Sequence, residues 1–145
     1  EENNNLIYMG ALPLNINPKF DINPNYNYAF IYNLDKYRKP GSHWVAIYVD
    51  NNPESNHSKS VEFYDSYGIS PPKELDDYIR SQFQGYKYKI NRVRHQGLRY
   101  KNKLNTLCGN FACLFIARRV NGYSFAESTN YNPSNKRADK EFENI

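Results

Sequence analysis

With 145 residues, 39% hydrophobic and 16% aromatic, the chain suffices for one packed domain, and a disordered or low-complexity chain is excluded. A formal charge of +4 suits acidic partners without requiring them. The two cysteines, Cys108 and Cys113, exclude a disulfide framework, and no run reaches the roughly 20 apolar residues of a membrane-spanning helix.

Residues 1–27 are rich in Asn and Pro, which break regular structure, and read as loop with room for one short element. "YAFIYNL" (28–34) reads as a strand. "HWVAIYVD" (43–50) is apolar on both faces, as a central strand is. "SVEFYD" (60–65) alternates, with Val61, Phe63 and Asp65 on one face, and the polar "NNPESNHSK" between the two reads as a hairpin loop. "SPPKELDDYIRSQFQG" (70–85) reads as a helix, with Ser70 as cap, prolines in the first turn, acids near the start and Gly85 as the stop.

"YKYKINRVR" (86–94) alternates again and predicts a strand. The second helix is expected from about Leu107 to Val120, stopped by Asn121-Gly122. "SFAE" (124–127) has the spacing of a capping box, and residues 134–145 read as a polar helix or frayed tail. This order predicts an α+β fold with a mainly antiparallel sheet packed with helices, in a single domain over residues 1–145.

An antiparallel hairpin of 43–50 and 60–65 with its turn centred on Glu54 sets position 43 opposite position 65. Directly opposed residues bring their Cβ atoms to about 4.5–5.5 Å, so His43 and Asp65 become neighbours on one face, where the carboxylate can fix the imidazole tautomer. A one-residue slip would separate them. Cys108 opens an apolar-faced helix, where the dipole and free N–H groups favour a thiolate, and a nearby His43 favours it further. Gly109 leaves room for substrate backbone, and the N–H groups of the turn can bind an oxyanion. Each residue also has an ordinary reading: Cys108 as a small buried hydrophobe, His43 as merely hydrogen-bonded, Asp65 as a turn residue. Cys113 reads as core, His57 as solvated, and His95 as a weaker rival base because no strand-end acid pairs with it. On one helix, five residues apart, the two cysteines lie about 140° apart and cannot bridge, which fits a reducing compartment.

"GSHWVAIYVD", "VEFYDSYG" and "LCGNFACLFI", in that order, resemble the adenovirus-type (adenain-like) cysteine proteases, related in fold to the Ulp1-type SUMO and ubiquitin-like proteases. "AFIYNLDKYRKPGSHWVAI" resembles the family's approach to its histidine, and "YMGALP" its N-terminal cleft segment. The resemblance covers most of residues 8–120. It implies His43 as general base, Asp65 as orienting acid and Cys108 as nucleophile, with Gly10, Trp44 and Gly109 lining the substrate cleft. The family's glutamine, six or seven residues before the cysteine, donates to the oxyanion. Here those positions hold Asn102 and Lys101, and Gln96 lies twelve residues upstream. Spacing favours Asn102; a loop insertion would favour Gln96.

The resemblance further implies peptide-bond hydrolysis through a thioester, cutting after small residues in Gly-x-Gly-like contexts. The Asn, Lys, Tyr and Ile bias suggests a viral or virophage-like member; for such a member the resemblance implies processing of capsid precursors, and the expectation is a monomer in the virion or the host cytoplasm, not secreted and without a membrane partner. The alternative is a deubiquitinase- or deSUMOylase-like hydrolase. No metal or other cofactor is required by the sequence, although the family admits DNA or a peptide as activator. Finally, no acidic residue occurs between Asp77 and Glu127. Within that stretch Lys87, Lys89, Arg92, Arg94 and Arg99 interleave with tyrosines and could form a non-specific DNA-binding face, with or without an enzymatic role; the ordinary reading is a solvated basic surface.

Overall fold

The computed structural model describes residues 5–34, 43–52, 59–95 and 108–129. Five strands form one sheet in chain order: β1 (Leu6–Pro13), β2 (Asn27–Asn33), β3 (Trp44–Asp50), β4 (Ser60–Tyr64) and β5 (Lys87–Ile90). Three helices accompany them: α1 (Lys73–Gln82), α2 (Cys108–Val120) and α3 (Phe125–Thr129). The fold is α+β, as expected. Antiparallel pairing holds for β2–β3 and β3–β4, whereas the outer pairs β1–β2 and β4–β5 are parallel.

Both faces of the sheet are covered, which is why β2, β3 and β4 are buried almost throughout. On one face Tyr28, Phe30, Tyr32, Val45, Ile47, Val49, Val61 and Phe63 pack under α1, whose Leu75, Tyr78 and Ile79 recur at helical spacing. On the other, Ala29, Ile31, Ala46, Tyr48 and Tyr64 pack under Phe111, Ala112 and Phe115 of α2. Small residues at 29 and 46 oppose the large aromatics of α2, so the layers interdigitate. The connection from Leu14 to Tyr26 is tied to the first face by side chains: Tyr78 donates to the Pro18 carbonyl (2.6 Å) and Gln82 to that of Phe20 (2.7 Å).

Several expectations are corrected. The Asn- and Pro-rich start contains an eight-residue strand, β1, because its partner β2 begins some twenty residues later and local composition does not register such a pairing. Ser70 does not cap α1: Pro72 occupies the cap position without a side-chain hydrogen bond, and Ser70 Oγ accepts from Arg92 Nη1 (2.6 Å). The strand expected over 86–94 ends at Ile90, because Asn91 turns its side chain into the backbone. Cys113, read as core, is exposed on α2.

Other expectations match. Gly122 (φ 96°) closes α2 with bonds from its own N–H to Arg119 O (3.1 Å) and from Tyr123 N–H to Arg118 O (3.0 Å), the double bond of a Schellman end. Ser124 and Glu127 exchange two bonds, of 2.8 and 3.0 Å, as a capping box. The tail expected over 134–145 lies outside the described residues.

Candidate active site

One end of the sheet collects the site. Asn33 pairs with Trp44, Ala46 with Tyr64, and Phe63 with Ile90, so the last residues of β2, β4 and β5 and the first of β3 share that end. His43 immediately precedes β3 and Asp65 immediately follows β4. His43 Nε2 lies 2.9 Å from Asp65 Oδ1. The expected pair is formed, but not through the expected register. Ala46 opposite Tyr64 places the turn centre one residue beyond Glu54, and the continued ladder sets His43 across from Tyr67. A shift of two preserves the face, so Asp65 becomes the diagonal neighbour and still reaches the imidazole.

Asp65 is 2% exposed, and its Oδ1 also accepts the Tyr67 N–H (2.8 Å). Because a carboxylate only accepts, Nε2 carries the proton, and the lone pair of neutral His43 is on Nδ1. The Tyr67 ring lies against the imidazole at 5.2 Å, and the Arg94 guanidinium sits 5.4 Å from that ring. Gly68 makes the turn between Asp65 and this aromatic cover. Its φ is +71°, its N–H bonds the Asp65 carbonyl (2.8 Å), and a Cβ there would lie 2.8 Å from the Arg92 carbonyl oxygen.

Helix α2 starts at Cys108 at this same end. The next residue, Gly109, sits against Trp44: a Cβ on it would lie 3.6 Å from the indole. Cys108 therefore opens a helix whose first turn packs on the neighbour of His43. A Cβ at 3.6 Å makes ordinary contact, so Gly109 is not demanded by crowding from Trp44. Of the other residues expected at the cleft, Gly10 stands apart. It lies mid-strand in the irregular part of edge strand β1, two strands from β3, roughly 10 Å sideways and a similar distance along from His43. Asn102, Gln96 and Arg99 lie outside the described residues.

His95 is no rival base. It is buried at 1% exposure between Tyr64 and Phe111. Nε2 is 3.0 Å from the Thr129 carbonyl, which can only accept, so Nδ1 accepts from the Tyr64 hydroxyl at 2.6 Å. Burial pushes its pKa down to about 4, the nearby Arg118 adds to this, and the Thr129 bond opposes it. The basic stretch also divides. Arg80 pairs with Asp76, while Arg119 turns inward to Glu62 (2.8 Å) and Asp50 (2.8 Å). Lys87, Arg92 and Arg94 are exposed, and Lys89 lies 5.8 Å from the Phe125 ring.

Sequence reasoning missed Asn91 and Tyr67, which hold and cover the pair, and the inward role of Arg119. For Tyr67 the signal was present in "DSYG"; for Asn91 it was only a polar residue ending an apolar strand. Among the described residues no cluster of three or more His, Cys, Asp or Glu could hold a metal ion, and no helix is long and apolar enough to cross a membrane.

Comparison with known proteins decides the family. The model of the Legionella ubiquitin-specific protease A (LupA) domain matches residues 30–143. The chain belongs to this family. It is 33% identical over 141 residues to R355 of Acanthamoeba polyphaga mimivirus, which carries a thiol protease name; the match covers 83% of this chain and 43% of R355. It is 26% identical over 105 residues to the cysteine protease S273R of African swine fever virus, covering 70% of this chain and 37% of that protein. In another isolate that protein is named SUMO-1 cysteine protease, with 24% identity over 123 residues. The crystal structure of the African swine fever virus pS273R protease shares the fold, with a TM-score of 0.61 and 22% identity, over 80% of this chain and 42% of that one. The chain thus spans less than half the length of the curated relatives it matches. These relatives are viral cysteine proteases by name, and none is an adenovirus enzyme, so the adenain branch is not the one singled out.

Proposed function

We propose that the chain carries the catalytic site of a cysteine endopeptidase, with Cys108 as nucleophile, His43 as general base and Asp65 as orienting acid. The observation that carries this reading is the 2.9 Å His43–Asp65 bond at the sheet end where α2 opens with Cys108. His43 Nδ1 takes the Cys108 proton, and the thiolate adds to the scissile carbonyl. The tetrahedral intermediate collapses to a thioester as imidazolium gives its proton to the leaving amine. Water, deprotonated by the same nitrogen, then releases the acid and the thiol. The N-terminus of α2 favours the thiolate, and Asp65 favours the imidazolium.

His95 bears on the oxyanion donor. Its N–H bonds the Ser66 carbonyl (2.7 Å), fixing the chain beside Asp65 one residue before Gln96. This anchoring supports Gln96 over Asn102, against what spacing alone favours. Loss of turnover in Gln96→Ala exceeding that in Asn102→Ala is expected, and the reverse order would assign the role to Asn102.

For the substrate, the motif resemblance favours precursor processing after small residues, with a viral capsid protein as the target; towards that target the relatives' names go no further than thiol or cysteine protease. The ubiquitin-specific and SUMO-1 names among the relatives favour the second reading, removal of a ubiquitin-like tail. Vinyl-sulfone probes built on ubiquitin, on SUMO-1 and on a Gly-x-Gly peptide test all of this together. Labelling at Cys108, absent in folded Cys108→Ala and His43→Ala, is expected, and the probe that labels fastest names the substrate class. Undiminished cleavage by folded Cys108→Ala would refute the site.

A further inference from the structure

We infer that Asn91 is a positioning residue that holds the orienting acid of the triad, a role that rests on the catalytic reading above. Asn91 is 1% exposed, and a buried amide is tolerated only when its groups are bonded. Its Nδ2 donates to the Asp65 carbonyl (2.8 Å) and the Val93 carbonyl (3.0 Å), and its Oδ1 accepts the Val93 N–H (3.0 Å). The place of these bonds gives them meaning. The β3–β4 ladder ends at Tyr64, and the β4–β5 ladder ends at Phe63–Ile90, extended by the Asn91 N–H to Phe63 O (3.0 Å).

Asp65 is therefore the first residue of that chain with no ladder partner in these pairings. The Asn91 side chain supplies the missing rung from the β5 side, and the Gly68 N–H takes the same carbonyl from the turn side. With its peptide held from two directions, the Asp65 carboxylate can keep Oδ1 on His43 Nε2. A core staple could have bonded any carbonyl; this one bonds the carbonyl of the residue that fixes the base.

The test reads the thiol, so it needs no known substrate. Alkylation of the full chain by iodoacetamide is followed across pH, with mass mapping to separate Cys108 from Cys113. The wild type is expected to react at Cys108 well below the ordinary thiol range. In Asn91→Ala, reaction of Cys108 at pH 6 should slow about tenfold, the size of one lost hydrogen bond passed on to the ion pair. The profile should move in the same direction as in Asp65→Asn, and the double variant should be no worse than Asp65→Asn alone.

A fall in melting temperature is common to both roles and decides nothing; the pH profile and the non-additivity do. A wild-type profile in folded Asn91→Ala, while Asp65→Asn shifts, overturns this inference alone. A Cys108 profile indifferent to Asp65→Asn overturns the triad, and this inference with it. Should Asn91→Ala not fold, the wild type still decides: the Asn91 side-chain amide resonances should shift with the midpoint of the His43 titration, and resonances unmoved through it overturn the role.

Discussion

Single residues at this site show how much depends on one atom. Gly68 has a left-handed backbone, and its missing Cβ is the space the Arg92 carbonyl fills. Gly68→Ala must meet both the αL penalty, about 1–2 kcal/mol, and a backbone clash that no rotamer relieves. We expect a loss of about 2 kcal/mol or more in urea unfolding, together with slower thiol chemistry, because the turn carries Asp65 and Tyr67. Wild-type stability in Gly68→Ala would mean that the turn adopts another form.

His95 makes a separate prediction about pH. Its folded pKa, near 4, lies below the ordinary 6.5, so the unfolded chain binds the proton first. The stability it contributes is fully present above pH 6.5 and falls as pH drops toward 4, by ~3 kcal/mol at about 1.4 kcal/mol per unit. In His95→Phe, which also forgoes the Tyr64 and Thr129 bonds, the slope of stability between pH 6.5 and 4 should flatten. An unchanged slope would assign the acid sensitivity elsewhere.

Between elements, the firmest polar link is that of α2 to the sheet. Arg119 meets Glu62 of β4 through both carboxylate oxygens (2.8 and 2.9 Å) and Asp50 of β3 (2.8 Å), under the Tyr48 ring at 4.8 Å. Burial works against the guanidinium charge, but the bonds and charges of Glu62 and then Asp50 outweigh it, and its pKa rises. Arg119→Ala leaves two buried carboxylates unpaired and should cost about 3–5 kcal/mol in chemical denaturation, with Arg119→Lys recovering only part, since an ammonium cannot bridge both acids in one plane. A cost below 1 kcal/mol would show that water reaches the acids.

This link was illegible in the chain. An arginine in a last helical turn reads as a dipole partner, and its acids lie 57 and 69 residues away. Patterns that close locally were legible: the doubly apolar β3, the Ser124–Glu127 box, the Gly122 stop, and the shared face of His43 and Asp65. The register was two residues off because the turn was centred on Glu54 to set His43 opposite Asp65, whereas the midpoint of the polar stretch 51–59 lies one residue further, where the observed pairing centres it; β1 was left as an unplaced short element because its partner is parallel and distant. At the site, parity and motif order brought out His43, Asp65 and Cys108, whereas Asn91 became visible only once two strands lay side by side.

For the whole molecule, the remaining question is what the +4 charge does. Two of the cations are committed to acids and leave the net charge as it was: Arg119 to buried Asp50 and Glu62, and Arg80 to Asp76 at the surface. Lys87, Arg92 and Arg94 remain exposed, along and just beyond edge strand β5. Arg94 stands over Tyr67, beside His43, so the basic edge runs up to the site. We propose that this edge attracts polyanions without reading sequence. DNA binding measured by fluorescence anisotropy should weaken steeply with salt, because each phosphate contact releases condensed counterion and adds about −0.9 to the log-log slope. Lys87→Ala with Arg92→Ala should flatten that slope by about two units across all sequences tried, and leave Cys108 labelling by a short peptide probe unchanged. Arg94→Ala should also flatten the slope but slow labelling as well, since it uncovers the ring packed on His43. No binding at low salt, or a slope indifferent to the Lys87 and Arg92 changes, would leave the edge as plain solvated surface.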